Sequence, residues 1–197
     1  EALAAESDAP DWSRWPTDLL HGEPTALAAA RERLQRVTAI SCFEQYLFHR
    51  QWQELRQYAH SRSVRLYGDM PIFVAYESVD VWRNQHLFEL DPQGRPTVVA
   101  GVPPDYFSAT GQMWGNPLYR WDRLAESGYA WWLARLQQAF QSFDILRLDH
   151  FRGFESYWEI PAGAENASNG TWQRGPQTAL FDTARQQFGP LAIVAED

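Results

Sequence analysis

The stretch "DILRLDHFRGF", residues 144–154, places a cation and an acid inside a short apolar strand. Leu146 and Leu148 alternate with Arg147 and Asp149, and side chains along a strand alternate between its two faces. The leucines therefore point to one side of the predicted strand, and the charged pair points to the other. A guanidinium lowers the pKa of a neighbouring carboxyl, so the pattern predicts an ionised Asp149. A purely structural ion pair is the alternative.

Two other strand-like segments also end in acids. "VRLYGD" ends at Asp69, and "LAIVAED" ends at Glu196 and Asp197. Helical patterns over residues 129–143 and 177–189 separate the strands, and this alternation predicts an α/β protein with a parallel sheet. In such sheets and in barrels, chemistry lies at the carboxyl ends of the strands. The acids therefore predict a site at one rim, although an acid after a strand can also be a helix cap.

The first third of the chain and its middle differ in composition. Residues 24–37 are rich in alanine, with a proline near the first turn, and residues 44–62 carry apolar residues three to four apart. Both patterns predict helices. Residues 83–122 hold five of the twelve prolines and show little periodicity, which indicates a long ordered loop or insertion. We assign residues 76–124 to an insertion that lines a cleft.

The composition excludes several classes of protein. The chain has 197 residues and a net charge of −8, whereas binding nucleic acid requires a basic surface. No apolar run has the length of a membrane span, so we expect no membrane partner. Cys42 is the only cysteine, which predicts a reducing, cytoplasmic location. Its helical context predicts a core thiol and not a nucleophile.

Paired acids with different environments are the tools of glycoside chemistry. The apolar residues before Glu196 predict a raised pKa and a protonated general acid, beside an ionised Asp149. A metal site built from Asp69, Asp149, His150 and Glu196 is an alternative. Their spacing matches no metal-ligand motif such as HExxH. We therefore expect neither a metal nor another cofactor.

The segment "GVPPDYFSATGQMWGNPLYRW", residues 101–121, combines aromatic and amide side chains. Aromatic faces stack on the apolar faces of pyranose rings, and amides hydrogen-bond to sugar hydroxyls. The combination favours a sugar-binding loop, and exposure is expected above all for Trp114. A small core within the loop is the alternative for Tyr119 and Trp121. The loop residues predicted to line the cleft are Tyr106, Phe107, Gln112, Trp114 and Asn116.

Four segments of the chain together resemble the amylomaltases, also called 4-α-glucanotransferases or disproportionating enzymes, of the α-amylase clan. The segments are "GDMPIFVAYESVDVW", "GVPPDYFSATGQMWGNPLY", "DILRLDHFRGFESYWEIPAG" and "AIVAED". The resemblance implies that residues 1–197 are part of one catalytic (β/α)8 TIM-type barrel, incomplete at both ends, whose remainder is the partner of this segment. It also implies a glycosyltransferase that moves α-1,4-glucan segments between maltooligosaccharides, by a retaining mechanism through a covalent glucosyl-Asp intermediate.

The resemblance also implies roles for individual residues. Asp149 corresponds to the nucleophile and Glu196 to the general acid/base, so we expect their carboxyls about 5–6 Å apart. Arg147 corresponds to the arginine that orients the nucleophile. The residues predicted to bind substrate are Asp69, Tyr106, Phe107, Gln112, Trp114, Asn116, Arg147, His150 and Asp197.

The family has a third catalytic carboxylate, in a His-Asp motif beyond the last strand of this sequence. We therefore expect the segment by itself to be inactive and to associate through open sheet edges. Two other functions remain open. An α-glucan hydrolase uses the same acids but lets water reach the intermediate, which Trp114 and its loop would prevent in a transferase. The third possibility is a non-catalytic glucan-binding fragment, although binding alone does not need Asp149 and Glu196.

Overall fold

The structure is a computed structural model that describes residues 2–7, 9 and 11–196. The chain divides into two compact units. The first comprises Glu1–Val64 and Glu77–Arg83, and the second comprises Arg65–Tyr76 and Asn84–Asp197. The helices are α1 (Ala2–Glu6), α2 (Thr17–Leu20), α3 (Pro24–Arg33), α4 (Gln35–Ser61), α5 (Val79–Arg83), α6 (Trp121–Glu126), α7 (Ala130–Ser142) and α8 (Thr178–Phe188). The strands are β1 (Tyr67–Pro71), β2 (Val98–Val102), β3 (Gln112–Pro117), β4 (Ile145–Asp149), β5 (Ser156–Pro161), β6 (Thr171–Arg174) and β7 (Ile193–Ala195).

The first unit is helical and packs around tryptophans. Trp12 is fully buried, and the indole N–H of Trp82 donates to the carbonyl of Leu19 at 2.9 Å. Helix α3 starts at Pro24, where the missing N–H costs nothing because the first turn has no partner for it. The predicted boundaries were wrong for both long helices, because α3 ends at Arg33 and α4 follows almost directly at Gln35.

Helix α4 is 27 residues long but contributes little to the core of its unit. Of its described residues, Ala59 alone is buried, and apolar side chains such as Phe43 and Tyr58 are exposed. Cys42 is also exposed, so the prediction of a core thiol was wrong. Its helical context indicated the element but not which face would be covered. Within the described part of the chain, no helix is both long and apolar enough to cross a bilayer.

The second unit contains the predicted parallel sheet. Its strand order is β1-β4-β7, so β4 is central, and both of its pairings are parallel. Leu146 and Leu148 on β4 are fully buried, as their alternation with charged residues predicted. The register places Asp69 of β1 beside Arg147 of β4, and Arg147 beside Val194 of β7. The α/β class is therefore confirmed.

Aromatic residues form much of the core of this unit. Trp132 and Leu136 on α7 are fully buried, and the ring of Trp132 meets Tyr119 and Phe154 edge-on at 5.7 and 5.3 Å. The hydroxyl of Tyr119 donates to the carbonyl of Ile72 at 2.7 Å, which satisfies a buried polar group. Tyr119 thus belongs to the core, which is the alternative named above for this residue.

A second, antiparallel sheet was not predicted. Its strand order is β3-β2-β5-β6, and β2 pairs with β5, which lies more than fifty residues further along the chain. Two of its strands, β2 and β3, lie within residues 76–124, whereas β5 and β6 lie outside that range. The segment predicted as an ordered loop or insertion therefore contains two regular strands. It supplies half of a sheet whose other half follows β4.

The glycine at position 68 offers a test of packing beneath the parallel sheet. A Cβ at Gly68 would lie 2.3 Å from ring atoms of Phe143, whereas one at Gly163 would meet no described atom within 4 Å. We predict that Gly68→Ala lowers the free energy of unfolding by about 1–3 kcal/mol, because the Phe143 ring must move. Gly163→Ala is the matched control and should change it by less than about 0.5 kcal/mol. Urea denaturation measures both, and equal midpoints would contradict the packing described here.

Candidate active site

The guanidinium of Arg147 lies at the centre of a cluster of three carboxylates. Its Nη1 is 2.6 Å from Oδ2 of Asp69. Its Nη2 is 3.1 Å from Oδ1 of Asp149 and 3.2 Å from Oε1 of Glu196. The structure thus brings together four of the residues that the sequence singled out.

The strand register explains this convergence. Asp69 and Arg147 are direct neighbours on adjacent parallel strands, so their side chains project from the same face. Asp149 lies two residues after Arg147 and returns to that face. Glu196 follows the end of β7, on the other side of the central strand. Asp149 and Glu196 are therefore at the carboxyl ends of parallel strands, as predicted, whereas Asp69 lies within β1, two residues before that strand ends at Pro71.

The two central carboxyls are close to one another. Because Oδ1 of Asp149 and Oε1 of Glu196 both contact the same nitrogen, at 3.1 and 3.2 Å, these oxygens are at most about 6.3 Å apart. Retaining glycosidases hold their two carboxyls about 5–5.5 Å apart, and inverting ones leave about 6.5–9.5 Å for a water molecule. The upper limit here agrees with the retaining arrangement.

The pKa shifts run opposite to the sequence prediction. Burial, followed by the charge of Glu196, raises the pKa of Asp149, and Arg147 offsets this only in part. The hydrogen bond from the His150 amide, together with Arg147, lowers the pKa of Glu196. The side chains of Asp149 and Glu196 are similarly exposed, at 45% and 40%. The two pKa values are therefore separated by different causes, namely burial at Asp149 and the hydrogen bond from the His150 amide at Glu196.

The reason for this error lies in strand β7. The apolar letters before Glu196 suggested an apolar pocket, but Val194 and Ala195 are themselves exposed. Glu196 instead accepts the backbone N–H of His150 on Oε2 at 3.0 Å. A carboxylate that accepts charge-assisted hydrogen bonds is stabilised in its ionised form.

An aromatic wall adjoins the acids. The imidazole of His150 meets Trp114 edge-on at 5.0 Å, and Phe73 lies 6.4 Å from Trp114 and 6.5 Å from His150. Trp114 is 38% exposed, so the predicted exposure of this residue is confirmed. Phe73 was not singled out from the sequence. It follows β1 closely, within a run of apolar residues that gave no sign of its contact with the site.

The amides of the loop have local partners. Gln112 accepts the indole N–H of Trp114 on Oε1 at 3.1 Å, and Asn116 donates from Nδ2 to the carbonyl of Val74 at 2.9 Å. Asn116 therefore anchors β3 to the segment after β1. Gln112 is exposed and orients the indole.

The tip of the same loop projects into solvent. Tyr106 and Phe107 are 96% and 90% exposed and contact each other edge-on at 5.6 Å. The base of the loop is fixed. Asp105 accepts the amides of Phe107 and Ser108, each at 2.8 Å, and Gly111 has a φ of 69° where a Cβ would lie 2.4 Å from the carbonyl of Val102. The structure thus keeps these two rings apart from the carboxylate cluster, and Asp197 lies outside the described residues.

A second residue missed in the sequence fixes the chain after β1. Arg135 on α7 donates to the carbonyls of Pro71 and Ile72 at 2.7 and 3.1 Å. Its guanidinium also stacks over Trp132 at 4.9 Å from the ring centroid. An arginine in an amphipathic helix is ordinarily a solvated residue, so the pattern carried no signal. Among the described residues, no group of three or more His, Cys, Asp or Glu is placed to hold a metal ion.

The fold and the site define an α/β protein with paired carboxylates at the carboxyl ends of parallel strands. A family model described as 4-alpha-glucanotransferase matches residues 1–197, and the chain belongs to that family. The 4-alpha-glucanotransferase of Thermus thermophilus is 50% identical over 186 residues, which cover 94% of this chain and 37% of the relative. The chloroplastic/amyloplastic 4-alpha-glucanotransferase of Solanum tuberosum is 44% identical, over 94% of this chain and 32% of the relative.

A solved structure agrees with these relatives. The amylomaltase from Streptococcus agalactiae in complex with acarbose superposes with a TM-score of 0.95 at 41% identity, covering 100% of this chain and 40% of that chain. The family expected from the sequence motifs is therefore confirmed. The chain spans well under half the length of each of these three proteins.

The sharing of Arg147 by the acids leads to a prediction about their titration. Arg147→Met should raise the pKa of both Asp149 and Glu196, because Arg147 lowers each of them and methionine keeps the length of the side chain without its charge. Arg185→Met is the control, since Arg185 pairs with Asp182 on α8. NMR titration of the carboxyl carbons measures both values. Unchanged titration in Arg147→Met would show that the cluster is not coupled as described.

Proposed function

We propose that this sequence forms the catalytic centre of a 4-α-glucanotransferase, acting within a chain of the relatives' full length. The observation that carries the proposal is the contact of Asp149 and Glu196 with one nitrogen of Arg147. It supports two carboxyls at the separation that a retaining reaction needs. The name of the solved Streptococcus agalactiae complex, with the sugar mimic acarbose, supports a glucan-like substrate.

We infer a (β/α)8 barrel as the complete architecture. The three parallel strands with α8 between β4 and β7 are consistent with a segment of such a barrel. Strands β1 and β7 are the two outer strands of the described sheet. In a barrel each of them would pair with one further strand.

The reaction would proceed in two displacements. An oxygen of Asp149 attacks the anomeric carbon, while Glu196 gives its proton to the departing glycosidic oxygen. The leaving glucan departs as an alcohol, and a covalent glucosyl-Asp149 ester remains. In the second step Glu196 accepts the proton of an acceptor hydroxyl, whose oxygen attacks the same carbon and releases Asp149. Two inversions give net retention.

The sugar itself would put the proton on the required carboxyl. The pKa of Asp149 is raised and that of Glu196 is lowered, and the two groups titrate as a pair. Glu196 can donate a hydrogen bond to the glycosidic oxygen only when Glu196 is protonated. The partial positive charge on the anomeric carbon favours an ionised Asp149. Both effects act against this order of the two pKa values.

The surrounding residues would bind the glucan. Asp69 contacts Arg147, and His150 contacts Glu196. A sugar hydroxyl at the carboxylates would meet both Asp69 and His150. Trp114 offers an exposed ring, and Gln112 orients it. We propose that Tyr106 and Phe107 receive a more distant sugar, and that Asn116 acts through its anchor to Val74. For Asp197, sugar binding remains a proposal based on the sequence.

A hydrolase is the second candidate, because it would use the same acids. The ring of Trp114 beside His150 favours transfer, since it can shield the ester from water.

We also propose a cytoplasmic location from the cysteine content. The Solanum tuberosum relative is described as chloroplastic/amyloplastic, so the family is not confined to one compartment.

Replacement of the nucleophile gives the first test. In a chain of the relatives' full length, Asp149→Asn should lower kcat for maltotriose disproportionation by at least about 10³-fold, because the amide cannot form the ester. Maltooligosaccharide binding, measured by calorimetry, should be nearly unchanged because shape and hydrogen bonding are kept. Asp182→Asn on α8 is the control. Activity of Asp149→Asn equal to that of the control would refute the assignment.

Product analysis separates transfer from hydrolysis. Trp114→Phe should retain most of the transfer because an aromatic ring remains, whereas Trp114→Ala should divert more of the intermediate to water. The measured quantity is the ratio of reducing ends formed to glucan transferred, from maltotriose. If Trp114→Ala leaves this ratio unaltered, the ring does not shield the intermediate.

A further inference from the structure

The chain makes a turn at His150, directly after the proposed nucleophile. The φ and ψ of His150 are 53° and 51°, in the left-handed region that residues other than glycine rarely adopt. One turn of helix, Phe151–Phe154, follows it, and the amide of Gly153 donates to the carbonyl of His150 at 3.0 Å. This conformation persists because the surrounding bonds fix it.

The turn directs two consecutive amides to a single residue. The N–H of His150 donates to Oε2 of Glu196 at 3.0 Å, and the N–H of Phe151 donates to the backbone carbonyl of Glu196 at 2.7 Å. Consecutive amides converge in this way when a left-handed residue is followed by a right-handed one, whereas in an extended chain they point apart. The amide of Glu196 in turn donates to the carbonyl of Leu148 at 3.1 Å.

We propose that the left-handed backbone of residue 150 positions the carboxyl of Glu196 for proton transfer. It does so through the hydrogen bond from its backbone N–H to that carboxyl, independently of the imidazole. The inference rests on the proposed function, because it assigns a task to the acid/base group named there. His150 is in this respect a positioning residue. The backbone carries the effect, and the side chain is a separate contact to sugar.

The hydrogen bond from the His150 N–H to Glu196 has two consequences for proton transfer. It fixes the rotation of the carboxyl, since Oε2 faces His150 while Oε1 faces Arg147. It also favours the ionised form of Glu196, and the other charged groups around it are Arg147, Asp149 and Asp69. Loss of the bond would raise the pKa of Glu196. The basic limb of kcat/KM, where a general acid loses its proton, would then move to higher pH.

Two substitutions separate the effect of the backbone conformation from the effect of the imidazole side chain. His150→Asn and His150→Val both remove the imidazole, but asparagine tolerates the left-handed region and a β-branched residue does not. In a chain of the relatives' full length, kcat/KM for maltotriose should be at least about ten-fold lower in His150→Val than in His150→Asn. The basic limb should move to higher pH in His150→Val alone. With α-maltosyl fluoride, whose leaving group needs no protonation, the gap between the variants should close.

His150→Gly provides a second readout if His150→Val does not fold, as judged by circular dichroism. Glycine adopts the left-handed conformation freely, so this variant should keep the basic limb of the unsubstituted protein. Equal pH profiles for folded His150→Asn and His150→Val, or a shifted limb in His150→Gly, would overturn the inference. Absence of disproportionation in the unsubstituted protein would instead refute the proposed function.

Discussion

The arrangement of the site depends on one cation shared by three carboxylates. Asp69, Asp149 and Glu196 repel one another, and without the guanidinium of Arg147 their ionised forms would not lie together at low cost. Arginine suits this place because its planar fork presents separate N–H groups to separate partners. The parallel register of β1 and β4 delivers the first acid to this fork. The turn at His150 fixes the last one. Strand pairing and electrostatics therefore specify the same geometry.

The sequence predicted those parts of the molecule that follow from local alternation. Leu146 and Leu148 among charged neighbours predicted strand β4 and the face of Arg147 and Asp149. Helix α7 was predicted by its apolar stripe and forms within a residue of the predicted bounds. Such patterns are reliable because burial of one face of a helix or strand makes apolar residues recur with the period of that element.

Other parts depend on partners far along the chain and could not be predicted in this way. Strands β2 and β5 are short, and they pair with each other across more than fifty residues of sequence. The pKa of Glu196 was misjudged because its neighbours in sequence are not its neighbours in space. The left-handed conformation of His150 was not predicted either, because histidine adopts it more often than most residues but still uncommonly. In each case a contact between distant segments decides the outcome.

The loop between β2 and β3 is anchored at its base and free at its tip. Asn116 bonds to the segment after β1, and Gly111 packs against the carbonyl of Val102, whereas Tyr106 and Phe107 are almost fully exposed and contact each other. Substitutions or added residues at the tip would therefore leave the carboxylate cluster undisturbed. Under the proposed role of Tyr106 and Phe107 in binding a distant sugar, a change of a few tip residues would alter the length of glucan that is accommodated. The chemistry and the chain-length preference would then evolve at separate rates.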